Sequence, residues 1–146
     1  MNQHPYLRAY MAGITVPTVL LLVLFSLVQV VRSAAPQLEG AIVFPLVIVP
    51  NAFGLWNMLY ARLQPRWRHP IGLHGAALPF LIAPVIYGFG ASRGLVVMGD
   101  HALHYFGFIT VPYWYLIFAP FIAITAYYLI WKYLVGFLNE LQGLGR

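Results

Sequence analysis

From Gly40 to Leu63 the chain reads GAIVFPLVIVPNAFGLWNMLYARL, with no charged side chain before Arg62. A helix needs about 20 consecutive apolar residues to cross the hydrocarbon core of a bilayer, and this stretch supplies them. In its middle stand Pro50, which breaks helical hydrogen bonding, and Asn51, an uncharged polar side chain. One segment therefore sets depth, direction and the point of greatest irregularity.

The same signature recurs. Apolar runs over about 11–31, 41–61, 71–90 and 107–131 predict four spans in one transmembrane domain covering residues 1–146. Only 8% of the residues are charged, where a water-soluble domain carries about 25%. The expected fold class is all-α: a polytopic bundle of four transmembrane helices with proline kinks. The first run exceeds the apolar region of a cleaved signal peptide, about 7–15 residues, and Pro36 follows its only small-residue site, so a retained first helix is expected.

The basic residues give the orientation. Arg8, Arg62, Arg66, Arg68, Lys132 and Arg146 fall on one side of these spans, and Arg32 and Arg93 on the other. Six against two places both termini and the middle loop in the cytoplasm of a bacterial-type membrane. Aromatic clusters at Tyr113–Tyr115 and Tyr127–Tyr133 mark the two interfaces of the fourth span. The formal net charge of +5 comes from eight residues scattered at span ends, with no basic stripe, so nucleic acid is not an expected partner. Absence of cysteine excludes disulfides and thiolate-ligated metals.

Seven of the eleven prolines lie within the spans. Each removes a backbone donor and displaces the carbonyl four residues earlier. Pro50, Pro84 and Pro120, near mid-membrane, are expected to kink their helices, and Asn51 to turn toward a neighbouring helix. Phe44–Gly54 and Leu78–Gly88 also share two prolines, an isoleucine and a glycine in register. In antiparallel spans a true repeat of this kind would be inverted, as in transporters with a midplane site. Chance matching in a Pro- and Gly-rich apolar composition is the preferred account.

No span holds Asp, Glu, Lys or Arg at depth, which argues against ion coupling and carboxylate chemistry inside the membrane. The polar features that remain are neutral. Pro50, Gly54, Asn57 and Ala61 form a small, polar stripe suited to close helix approach. Its preferred reading is packing; the alternative is a ligand-facing groove. His74 lies one turn into the third span and is expected to be structural, hydrogen-bonded to Asn57 or water. Paired with Met58 it could instead ligate haem iron, since haem proteins use His and Met axial ligands. His101 and His104, beside Asp100, have the spacing of a metal pair on a helical turn, though two ligands do not complete a site. The segment 93–106 that holds them is expected to rest, partly ordered, on the outer surface.

These observations point to an accessory or structural membrane protein in the bilayer, packing with itself or with other membrane subunits. A facilitator or binding protein for a neutral or lipid-like molecule, using the kinked midplane, is the alternative. Haem-based electron transfer is the third reading. Catalysis is not expected.

Overall fold

The computed structural model describes residues 4–31, 37–64, 69–107 and 109–144. Helix α1 runs Pro5–Val31, α2 Gln37–Leu63 and α3 Ile71–Ser92. Three short strands follow, β1 Val96–Met98, β2 Ala102–Tyr105 and β3 Ile109–Pro112. Helix α4, Tyr113–Leu129, continues through a π-helical turn, Ile130–Val135, into α5, Gly136–Leu141. Among the described residues four helices are long and apolar enough to cross a membrane: Pro5–Leu27, Val43–Leu63, Ile71–Ser92 and Tyr113–Leu141. By length and composition the chain is a multi-pass membrane protein.

The expectation of an all-α chain needs correcting between α3 and α4. Gly107 lies in a turn and Ile109–Pro112, instead of opening the fourth span, form β3 of a three-stranded antiparallel sheet in the order β1-β2-β3. The cause is local. Val96-Val97 and Ile109-Thr110-Val111 are β-branched, and Gly-containing turns separate them. The register pairs Val97 with His104, and His104 with Thr110. The turn between β2 and β3 holds two successive residues in the left-handed region, Phe106 (φ 57°) and Gly107 (φ 77°); glycine adopts it without a steric penalty. Pro112 then ends the sheet and caps α4, with φ −56° and ψ 144°.

At its other end the span runs on into the tail, where Gly143 and Gly145 are the sequence's release points. Beyond Trp131 the helix persists to Leu141, and Gly143, at φ 69°, turns the chain away. A π turn is wider than an α turn, so residues four apart fall short of a full turn there instead of overshooting it. Trp131 and Val135, each 0% exposed, and Asn139, at 6%, therefore all face inward.

The core lies toward the end of the bundle where α1 begins and α5 stops. Val16, Phe53, Leu78, Ile82, Trp131 and Val135 form it. Phe53 meets Tyr127 and Trp131 with ring centroids 5.4 and 5.7 Å apart, within the range of favourable tilted aromatic pairs. The seams on either side are closed by glycine. A β-carbon built on Gly13 would stand 2.6 Å from the Phe53 carbonyl oxygen and 2.9 Å from the Gly54 α-carbon, so α1 and α2 touch backbone to backbone. On Gly75 it would stand 2.2 Å from the Trp131 ring, and on Gly72, 2.7 Å from Tyr128.

Candidate functional site

Two places combine polar groups with helix packing, and both lie toward the same end of the bundle. The first is a buried amide clasp. Asn57, on α2 and 0% exposed, donates from Nδ2 to the Ala9 carbonyl at 2.7 Å and to Asn139 Oδ1 at 2.8 Å. Asn139 returns a bond from its own Nδ2 to Asn57 Oδ1 at 3.0 Å. Three helices are thereby tied at one point, and both Asn57 amide protons and its oxygen are engaged. Such groups bury well because each has a partner.

The stripe around Asn57 is a packing surface in this structure. Pro50, Gly54 and Asn57 are buried, and a β-carbon on Gly54 would meet Ile14 at 2.5 Å and Tyr10 at 2.6 Å. One turn away Asn51, an exposed residue, accepts a bond from the Tyr10 hydroxyl at 2.6 Å and donates to the Val47 carbonyl at 2.7 Å. The amide thus serves the carbonyl next to that of Leu46, the one freed by Pro50, and holds α1 through Tyr10.

The second place is a groove of about 480 Å³ between the end of α2 and the start of α3. Trp56, Leu59 and Leu63 line it from α2; His69, Leu73, His74 and Ala77 line it from the α3 side. The Trp56 indole donates to the His74 carbonyl at 2.8 Å, which fixes the ring against α3. The His74 imidazole meets Tyr60 edge-on, with centroids 4.9 Å apart. Asn57, the partner expected for His74, is spent on Ala9 and Asn139 instead. Met58 is not among the residues lining the groove with His74, so the structure does not bring the haem pair together there.

The remaining sequence candidates are dispersed. Pro50 is buried while Pro84 and Pro120 are exposed, so the three midplane prolines share no cavity. The matched segments of α2 and α3 likewise sit in opposite surroundings: Gly54 is pressed against α1, and Gly88 has nothing within 4 Å. His101 and His104 do not share a helical turn, because His104 is on β2 and His101 in the bend before it. His104 Nδ1 shares a hydrogen bond with Thr110 Oγ1 at 3.1 Å, and its ring lies against Gly99. Among the described residues no group of three or more His, Cys, Asp or Glu side chains could hold a metal.

Sequence reasoning missed Ala9, Gly13, Gly72, Gly75, Trp131 and Asn139. Spacing could have found the glycines, since Ala9-x3-Gly13 and Gly72-x2-Gly75 are small residues one helical turn apart. Beside the sheet, burial holds the Tyr105 phenol above its ordinary pKa, with Tyr87 adding to the effect, so it stays neutral at physiological pH. No protein-family model, curated protein or solved structure matches the chain.

Proposed function

We propose that this chain is a structural or accessory membrane protein, and that its assembly surface is the outer face of α4. The observation that carries the reading is the uneven use of the four helices. None of the residues Tyr113–Leu129 is buried, and Trp114, Tyr115, Ile117, Phe118, Phe121 and Ile122 are all exposed. The small-residue faces that would otherwise invite a partner are already consumed within the chain, at Gly13, Gly54, Gly72 and Gly75. The amides at depth are satisfied by one another, which suits a scaffold better than a reaction site. On this reading the partner is a second copy or a larger membrane complex that covers the aromatic face. Pro50, Pro84 and Pro120 kink their helices to shape that surface. The basic end, with both termini, faces the cytoplasm, as the six-to-two distribution of Lys and Arg supports.

Because the native chain has no cysteine, single-cysteine variants test both parts in intact membranes. Ile117→Cys or Phe121→Cys is expected to give one discrete crosslinked species, and Leu22→Cys on α1 none. Uniform absence of crosslinks along α4 would remove the basis for an assembly surface. Cysteine placed at either end of the chain is expected to resist membrane-impermeant maleimide until the membrane is opened; labelling from outside would reverse the orientation.

A further inference from the structure

We infer that the groove between α2 and α3 is a binding site for one anionic phospholipid, with an acyl chain against Trp56 and its phosphate at Arg62 and His69. The volume, about 480 Å³, falls within the roughly 300–1,000 Å³ of small-molecule sites. Its walls are apolar for most of their length: Leu59 and Leu63 on one side, Leu73 and Ala77 on the other. The Trp56 N–H is spent on the His74 carbonyl, so the indole offers hydrocarbon surface to the groove and no donor. Polarity is concentrated in the imidazoles of His69 and His74. Arg62 is exposed in the last turn of α2, next in sequence to the lining residue Leu63.

The charge of this end selects the headgroup. Glu39 stands in the first turn of α2 and Asp100 between β1 and β2, both at the other end, and Glu140, on α5, is not among the residues that line the groove. An apolar trough with no carboxylate in its lining, two imidazoles in its wall and Arg62 beside Leu63 complements an amphiphile with an acyl chain and a negative head. Basic pockets between transmembrane helices near the membrane surface recognise lipid headgroups on this principle. Leu59 and Leu73 are exposed, so the groove opens onto the lipid itself. This site is independent of the α4 surface proposed above.

Native mass spectrometry of the purified full chain, titrated with dioleoylphosphatidylglycerol or dioleoylphosphatidylcholine, reads the site directly. One phosphatidylglycerol is expected to bind in preference to phosphatidylcholine. Arg62→Gln and His69→Gln should each reduce that preference, the arginine by about fivefold, the change that corresponds to about 1 kcal/mol per basic residue at a lipid surface. Arg62 is exposed, so its replacement tests charge without threatening the fold. Ala77→Trp should fill the groove and abolish stoichiometric binding of either lipid. Equal binding of the two lipids, or an unchanged preference in Arg62→Gln, would overturn the assignment. So would displacement of the lipid by millimolar inorganic phosphate, which would mark a headgroup-only site. If Ala77→Trp instead left lipid binding intact and changed the oligomeric mass, a second copy and not a lipid would occupy the groove.

Discussion

At the end of the bundle where α1 begins, Gly13, Gly54, Gly72 and Gly75 each lie so close to a neighbouring helix that a β-carbon would collide at 2.2–2.9 Å. Nearer the sheet, Gly88 has nothing within 4 Å, and the core residues give way to exposed Leu22, Val23, Val85 and Phe121. The contrast reflects the solvent. Lipid tails are as apolar as leucine, so transmembrane helices gain little from burying hydrocarbon against one another. They adhere where backbones approach closely and where amides bond across the gap. One end of this protein has both devices.

The other end is closed by backbone instead. Strands β1, β2 and β3 pair among themselves, and Tyr113 stitches them to α4: its N–H donates to the His101 carbonyl at 3.2 Å and its hydroxyl to the Gly99 carbonyl at 2.6 Å. An open sheet has edges whose unpaired groups hydrocarbon cannot satisfy, so this cap belongs at the interface or beyond it. One end of the molecule is therefore held by close helix packing and the other by strand pairing.

The sharpest way to break the comparison is to place the same side chain at both ends. Gly13→Leu must push against the Phe53 carbonyl and the Gly54 backbone, neither of which can rotate away. We expect a loss at or above the upper end of the roughly 1–3 kcal/mol typical of overpacking. Gly88→Leu enters open space and also removes a glycine from a helix interior, worth up to about 1 kcal/mol relative to a good helix former. Thermal unfolding in one detergent should show the first variant strongly destabilised and the second unchanged or slightly raised. Equal behaviour would mean that the glycine seams do not hold the bundle.

A second, smaller effect concerns the amide clasp. Asn57→Leu leaves the Asn139 amide buried without its partner and takes from the Ala9 carbonyl the donor it has beyond its own helix. An orphaned buried polar group costs about 1–3 kcal/mol. Replacing both members, Asn57→Leu with Asn139→Leu, removes the orphan, and we expect stability to recover toward the native value. A double variant as unstable as the sum of its parts would show that packing shape, not hydrogen bonding, is what Asn57 contributes. The cycle of single and double variants is read by the same unfolding assay, with secondary structure checked by circular dichroism.

These two ends were not equally legible in the sequence. Four spans follow from apolar runs of bilayer length, and the Pro50–Gly54–Asn57 stripe follows from helical spacing. Asn139 did not, because a helix continued past Lys132 toward Gly143 does not by itself say which of its faces turns inward. The π turn, which no residue pattern announces, sets that face so that Asn139 meets Asn57. The sheet was hidden for a different reason. Ile109-Thr110-Val111 adds to an apolar run in any hydropathy window, and its β-branched character is outweighed by that run in a membrane context. The turn residues Gly99-Asp100 and Gly107 held the missing information.

The smallest expected effect lies at Asn51, which belongs to neither device fully. It sits one turn from the buried stripe yet is exposed, and it joins α1 through a single bond from Tyr10. Its other bond, to the Val47 carbonyl, lies within α2 beside the gap that Pro50 makes in the hydrogen-bond ladder. Side-chain hydrogen bonds between membrane helices average about 0.6 kcal/mol. Tyr10→Phe should therefore lower stability by about that much, and Asn51→Leu by slightly more, since it also releases the Val47 carbonyl. A double-mutant cycle separates the contributions: a coupling near 0.6 kcal/mol identifies the Tyr10–Asn51 bond as the shared term. Coupling near zero would mean that Asn51 acts only on its own helix, repairing the ladder beside the proline, and that α1 and α2 are joined by their glycines alone.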